Sequence, residues 1–245
     1  MFVNDEHESF LDKPSAQDGV WRYMDLARYL SLLEESALHF ARADQMTDTW
    51  EGSYGPRNQE LRPVLYGEHY DMMMASAPSR RQFMRQRFHM NCWHLAEFES
   101  AAMWDIYQRE GRGVAIKSTW GALTSSIRAE RDVFGARVKY VDYRKTFIPE
   151  RNAFDAFLFK RESFSHEREV RLLMMTGVNG AESTTASEPE APVVPIAVDL
   201  RDLVQDVFVA PDAPQWIGDV VEKVTARYGY GFEVRQSDLA KDPIE

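Results

Sequence analysis

A single cysteine, Cys92, stands among 245 residues, so neither a disulfide framework nor a cysteine-based zinc knuckle can form within one chain. No stretch approaches the ~18 to 20 consecutive apolar residues that a membrane span needs. The first ten residues hold Asp5, Glu6 and Glu8 but no Lys or Arg, unlike the basic start of a secretory signal. The expectation is a cytoplasmic protein with no membrane partner. Positive charge is in deficit: Lys+Arg 29 against Asp+Glu 39 leaves a net charge of -10, the wrong sign for coating nucleic acid. Internal repeats are missing, and Gly111-x-Gly113 and Gly229-x-Gly231 lack the rest of any phosphate-loop pattern. The remaining composition, 44% hydrophobic and 28% charged, is that of an ordinary globular chain and excludes collagenous, coiled-coil and wholly disordered classes.

At about 150 residues per domain the length allows one generous domain. Residues 1–19 are polar and without periodicity, ending in Pro14-Ser15-Ala16-Gln17-Asp18-Gly19, and read as a flexible N-terminal arm. The domain proper is expected over 20–238. Strands are predicted near 20–24, 37–41, 89–94, 112–117, 134–143, 167–175, 193–198, 207–210 and 232–235. Helices are predicted after Asp25, from Pro63 to about 75, over 79–87, 98–109, 120–129, 152–162 and 215–228. Residues 177–192, GVNGAESTTASEPEAP, have the composition of a mobile surface insertion. Strands and helices intermix without regular βαβ spacing. The predicted class is therefore α+β, a single domain with a mixed, mainly antiparallel sheet flanked by helices.

The residues that could carry chemistry begin with Glu167-Arg168-Glu169-Val170-Arg171. Strand alternation puts Val170 with the core and turns Glu167, Glu169 and Arg171 to the other face. Two carboxylates about 7 Å apart can raise one another's pKa. Arg171 can hold one of them ionised, which separates acid and base roles. The plain alternative is a solvated face with a cross-pair salt bridge. Glu99 falls at i, i+4, i+8 with Met103 and Tyr107, beside an apolar stripe, and is either a functional acid or a buried anchor. Arg22, between Trp21 and Tyr23, is a candidate ligand for phosphate or carboxylate, or pairs internally with Glu99 or Asp25. Ser118-Thr119 ends a predicted strand and serves either as a helix N-cap or near a phosphate. His89, Cys92 and His94 do not converge on one face, so no metal site is predicted. The run Arg80, Arg81, Arg85, Arg87 reads as the solvated side of an amphipathic helix.

An ordered set of short motifs resembles the bacterial domain-of-unknown-function family 2971. It comprises Trp21-Arg22-Tyr23, Leu38-His39-Phe40, Asp48-x-x-Glu51-Gly52, Cys92-Trp93, Glu99-Ser100-Ala101-Ala102-Met103-Trp104, Tyr107, Gly113-Val114-Ala115-Ile116, Val138-x-Tyr140-x-Asp142-Tyr143, Lys160-Arg161 and Phe164-x-His166-Glu167-x-Glu169-x-Arg171. The likeness covers roughly 20–175 and implies a bacterial or phage-borne cytosolic protein without supplying a reaction. More distantly, the order Arg22, Ser118-Thr119, Glu167-x-Glu169 is similar to ADP-ribosyltransferases of the arginine-serine-glutamate type, with Trp120 where those enzymes carry another Ser. That resemblance implies that Arg22 holds a phosphate of NAD, Ser118 braces the site, and Glu169 stabilises the ribosyl cation as nicotinamide leaves.

The leading expectation is an enzyme acting on a nucleotide-like substrate. Its candidate catalytic residues are Glu169, Glu167 and Glu99, and its substrate-binding residues Arg22, Ser118, Arg171 and Tyr107. No motif demands a cofactor; NAD enters as a candidate substrate. Two alternatives stand beside it. One is a non-catalytic protein-binding module of a bacterial stress or phage-defence system. The other is a metal-dependent nuclease using Glu99, Glu167 and Glu169.

Overall fold

A computed structural model of the chain describes residues 1–3, 7–107, 112–177 and 188–241. The first strand, β1 (Gly19–Asp25), runs straight into α1 (Leu26–Glu35), because the Asp25 side chain accepts the Arg28 N–H at 2.8 Å and caps the first turn. Ser36, left-handed at φ 47°, ends α1 and turns the chain into β2 (Ala37–Arg42). Three helices follow: α2 (Pro56–Tyr66), α3 (Tyr70–Ala75) and α4 (Ala77–Arg85). Next come β3 (Phe88–Leu95), α5 (Ala101–Tyr107), β4 (Gly113–Thr119), α6 (Trp120–Ser126), β5 (Phe134–Arg137), β6 (Lys139–Val141), β7 (Phe159–Arg161) and β8 (Glu169–Met175). The chain closes with β9 (Val193–Ala197), α7 (Leu200–Leu203), β10 (Asp206–Val209), α8 (Gln215–Arg227) and β11 (Glu233–Gln236).

Nine strands form one sheet in the order β11-β10-β4-β1-β3-β2-β9, with β8 and then β5 joining beside β3. Only β10 and β11 are parallel within it, so the architecture is a single α+β domain with a mixed, mostly antiparallel sheet flanked by helices. A separate parallel pair is formed by β6 and β7. The feature that shapes the molecule is a fork on one edge of β3. β8 pairs with β3 from Phe88 to His94 on one side. On the other side β1 pairs only at His94 and Leu95, and β2 only at His89 and Met90. β1 and β2 therefore splay apart at residues 91–93. Among the described residues, no helix is long and apolar enough to cross a membrane.

Several elements differ from the sequence-based expectation. The helix expected from Pro63 begins at Pro56, the position after the Gly55 N-cap, and contains Pro63 one turn before its end. The helix expected over 152–162 is a short 3-10 turn at Asp155–Phe157 followed by β7. Asp155 ties the amides of Arg151 and Asn152 at 3.0 and 3.3 Å and so fixes a loop there. The strand expected over 134–143 is broken between β5 and β6.

The described N-terminal residues make defined contacts with the domain. Phe2 bridges to Val133, and Phe10 is 3% exposed, stacked on Phe134 at 5.0 Å and edge-on to Phe154 at 5.1 Å. Two apolar anchors hold a polar segment that has no periodicity to reveal them. Most of the predicted insertion, residues 178–187, lies outside the described residues. Its C-terminal flank is tied down where Arg42 Nη1 donates to Glu190 O at 2.7 Å.

Candidate active site

The fork in the sheet leaves backbone groups without strand partners, and side chains take them up. Asn91 Nδ2 donates to His39 O on β2 at 2.8 Å. Arg22 Nη1 donates to Asn91 Oδ1 at 3.0 Å and to Cys92 O at 2.8 Å, and the guanidinium lies 5.9 Å from the centre of the Trp93 ring. Over this fork opens a cleft of about 560 Å³, lined by residues of β1, β2, β3, β7, β8, α5 and the segment 46–51. Tyr107, at the end of α5, forms part of the opposite wall.

Among the described residues no carboxylate pairs with Arg22. Burial lowers its pKa from the ordinary arginine value, and the residues that act on it electrostatically are Cys92, Tyr107 and Arg28. A guanidinium stays ionised under such conditions, so the cleft presents an uncompensated positive charge.

Elsewhere in the same cleft the acids and bases are tightly matched. Arg171 is 1% exposed and forks onto Glu51: Nη1 to Oε2 at 2.8 Å and Nη2 to Oε1 at 2.7 Å. Its Nε donates to Glu169 Oε2 at 2.7 Å, and Nη1 also donates to Phe157 O at 2.8 Å. Each of its three nitrogens thus faces an acceptor of the protein. Lys160, 7% exposed, touches Glu167 Oε2 and lies 3.4 Å from Glu169 Oε1, with its ammonium over the Phe164 ring at 4.7 Å.

Local conformation brings these groups together. Asp48 accepts from Trp50 N at 3.0 Å and from Arg161 Nη2 at 2.7 Å, making the turn that presents Glu51. Gly52 follows at φ +67°, and a Cβ there would lie 2.5 Å from the Phe157 ring, so only glycine lets the chain press this close. Arg168 is left-handed at φ 40° between the two glutamates. Glu167 therefore ends a 3-10 turn while Glu169 begins β8, and both side chains meet Lys160 across that bend. His94 holds the bend from behind, its Nδ1 donating to Glu167 O at 2.7 Å.

The two carboxylates are driven apart in acidity. Burial alone would raise Glu169, but Arg171 and Lys160 outweigh it and hold the group below the usual carboxylate range. Burial and the neighbouring Glu169 charge push Glu167 above that range despite Lys160. One fixed anion thus stands beside one carboxyl that takes up a proton more readily. Among the described residues Glu167 Oε1 has no hydrogen-bond or ion-pair partner, so it is the free oxygen of the pair. Cys92 also lines the cleft, and burial pushes its thiol up to about 12, which removes it as a nucleophile.

Of the residues singled out from sequence, Arg22, Tyr107, Glu167, Glu169 and Arg171 line this one cleft. Glu99 and Ser118 do not. Glu99 accepts from Trp104 Nε1 at 2.8 Å, Ser237 Oγ at 2.5 Å and Asp238 N at 2.6 Å, anchoring the C-terminal segment to α5. Ser118 is fully buried and donates to Leu203 O at 2.5 Å, so α7 covers it. Glu99 therefore stands apart from Glu167 and Glu169, and among the described residues no group of His, Cys, Asp and Glu is placed to hold a metal ion. Glu51 and Lys160 stand in the motifs that carry the family likeness, but sequence reasoning did not single them out as site residues. Their signal was weak: each sits in a short strand or turn whose burial of charge no periodicity announces. No family model and no curated protein matches the chain at a significant level.

Proposed function

We propose that the cleft is the active site of an enzyme acting on a nucleotide-like anion, with NAD as the first substrate to test. The observation that carries the reading is that one cleft holds both an Arg22 charge with no carboxylate partner among the described residues and a carboxylate pair of split acidity. Arg22 holds a phosphate. Glu169, kept anionic, faces the ribose as the N-glycosidic bond breaks; the bonding electrons pass to the nicotinamide nitrogen and the oxocarbenium charge is balanced by the carboxylate. Glu167 takes the proton of the attacking water or acceptor hydroxyl. Arg171 has no donor left for substrate and is a positioning residue, holding Glu169 from behind. The likeness of residues 20–175 to a family without an assigned reaction adds nothing to this chemistry; of the residues in the arginine-serine-glutamate likeness, Arg22 and Glu169 line the cleft, and Ser118 lies under α7 and takes no part in the reading.

The test is nicotinamide release by the purified chain. Glu169→Gln is expected to lower the turnover number about 100-fold or more, the loss seen when one electrostatic group of a transition-state site is removed, with little change in KM. Turnover by Glu169→Gln equal to that of the native chain would refute the assignment. A second reading, a non-catalytic protein-binding module, is favoured by the internal saturation of Arg171. Under it, Glu169→Gln lowers the melting temperature, and the native protein releases no nicotinamide.

A further inference from the structure

A second and larger cavity, of about 860 Å³, lies between α2, α4 and the segments 49–54 and 150–157. It shares only Thr49 with the cleft and carries different chemistry. Three guanidiniums, Arg62, Arg80 and Arg81, reach its wall, against the single carboxylate of Glu150. In a chain of net charge -10, that is a local inversion of sign.

The partners of these charges are unequal. Arg62 and Glu150 form a buried pair at 2.9 Å, and Glu150 is fully engaged, since Asn58 Nδ2 donates to it at 2.8 Å and Tyr66 Oη at 2.5 Å. These contacts hold Glu150 below its ordinary pKa against the cost of burial. Arg62 is further spread over the Tyr54 ring at 5.0 Å. Arg81 donates to Ser53 Oγ and Thr49 O. The Arg80 side chain is held by no hydrogen bond or ion pair among the described residues, and acts on Tyr66 across the cavity. Tyr54, Met73 and Met84 give the rest of the wall apolar and aromatic surface, interleaved with the polar Thr49, Ser53, Gln59 and Asn152.

From this arrangement we infer a second ligand site, one that takes an aromatic anion: a planar apolar body lodged against Tyr54 and Met84, with its acidic group on Arg80. The size lies within the range of small-molecule pockets. An apolar body supplies the burial, and the unmatched guanidinium selects for negative charge. The inference does not depend on the chemistry assigned to the cleft.

The test uses the full chain and two fluorescent probes of nearly the same shape, 8-anilinonaphthalene-1-sulfonate and the uncharged N-phenyl-1-naphthylamine. The native protein is expected to bind one sulfonate probe per chain, about tenfold or more tighter than the neutral one. Arg80→Ala is expected to erase that preference without shifting the melting temperature, because the side chain holds nothing in place. Ala153→Trp, which fills the cavity with an indole, should abolish binding of both probes, whereas Arg22→Ala, in the cleft, should leave both unchanged. Equal affinity for the two probes overturns the proposal, as does a sulfonate preference that survives Arg80→Ala. Loss of that preference with Arg22→Ala in place of Arg80→Ala would move the probe to the cleft and equally end the proposal.

Discussion

Arg22 and Arg171 flank β3 from opposite sides, and they do opposite things with their charge. Arg171 is consumed inside the protein by Glu51, Glu169 and the Phe157 carbonyl, whereas among the described residues the hydrogen bonds of the Arg22 guanidinium go to an amide oxygen and a backbone carbonyl. Removing one partner of a buried, bidentate pair leaves an uncompensated charge and costs about 3–5 kcal/mol. Glu51→Gln is therefore expected to lower the melting temperature strongly. The same change at Glu167, 19% exposed at its side chain and held through one oxygen by Lys160, should lower it far less. A chemical denaturation series on the two variants checks this, and equal losses would contradict the division of labour drawn here. The convergence of Glu167, Glu169 and Arg171 was legible from their spacing, yet for a reason that alternation does not contain. A left-handed Arg168 bends the chain between the glutamates, and Lys160, not strand geometry, collects them. Glu99 and Ser118 show the converse. Their residue types and positions suited a site, but Ser237, Asp238 and Leu203, all remote in sequence, claim their polar atoms.

At the scale of elements, β3 carries two buried histidines at its ends, and both bear on stability. Burial lowers the pKa of His89 and of His94 from the ordinary value of about 6.5. A group whose folded pKa is depressed contributes its stability above the unfolded value and loses it as pH falls through the folded one. The melting temperature is thus expected to fall as pH drops below about 6.5, before the carboxylates titrate. His94→Gln should flatten part of that fall while costing the hydrogen bond to Glu167 O. A melting curve level from pH 7 down to 5 in the native protein would remove the histidines from the account. The N-terminal segment gives a second expectation. Phe10 sits in the smaller core cluster with Phe88, Phe157 and Leu173, behind the wall that carries Glu51 and Arg171. Phe10→Ala should cost about 3–5 kcal/mol, the usual price of emptying a buried aromatic site; a free arm would lose nothing. Periodic elements such as α1 and α8 could be read from sequence because one face of each is apolar, and β4 because Val114-Ala115-Ile116 is a continuous buried run. The docked arm, the 3-10 turn at Asp155–Phe157 and the helix start at Pro56 could not, because side-chain contacts across more than a hundred residues, or a single capping position, decide them.

For the whole molecule, the fork in the sheet is what joins fold to function. β3 cannot be paired by β1 and β2 along the same edge at once, so the strands part, the gap must be filled by polar side chains, and Arg22 is placed in the gap with charge to spare. The β8 edge of the same strand brings Glu169 and Arg171 alongside, with Cys92 opposite Arg171 in register. The mixed, mainly antiparallel class followed from the sequence because short strands and helices alternated without a repeating unit; the fork did not, because it depends on how far each neighbour of β3 extends. If the fork is a site for a phosphate-bearing ligand, binding must stabilise the folded chain through Arg22. The decisive measurement is the melting temperature of the native protein and of Arg22→Ala across a titration of NAD. The account predicts a saturable rise in the native protein that Arg22→Ala removes. No rise in a well-folded native sample, or an equal rise in both proteins, would contradict it.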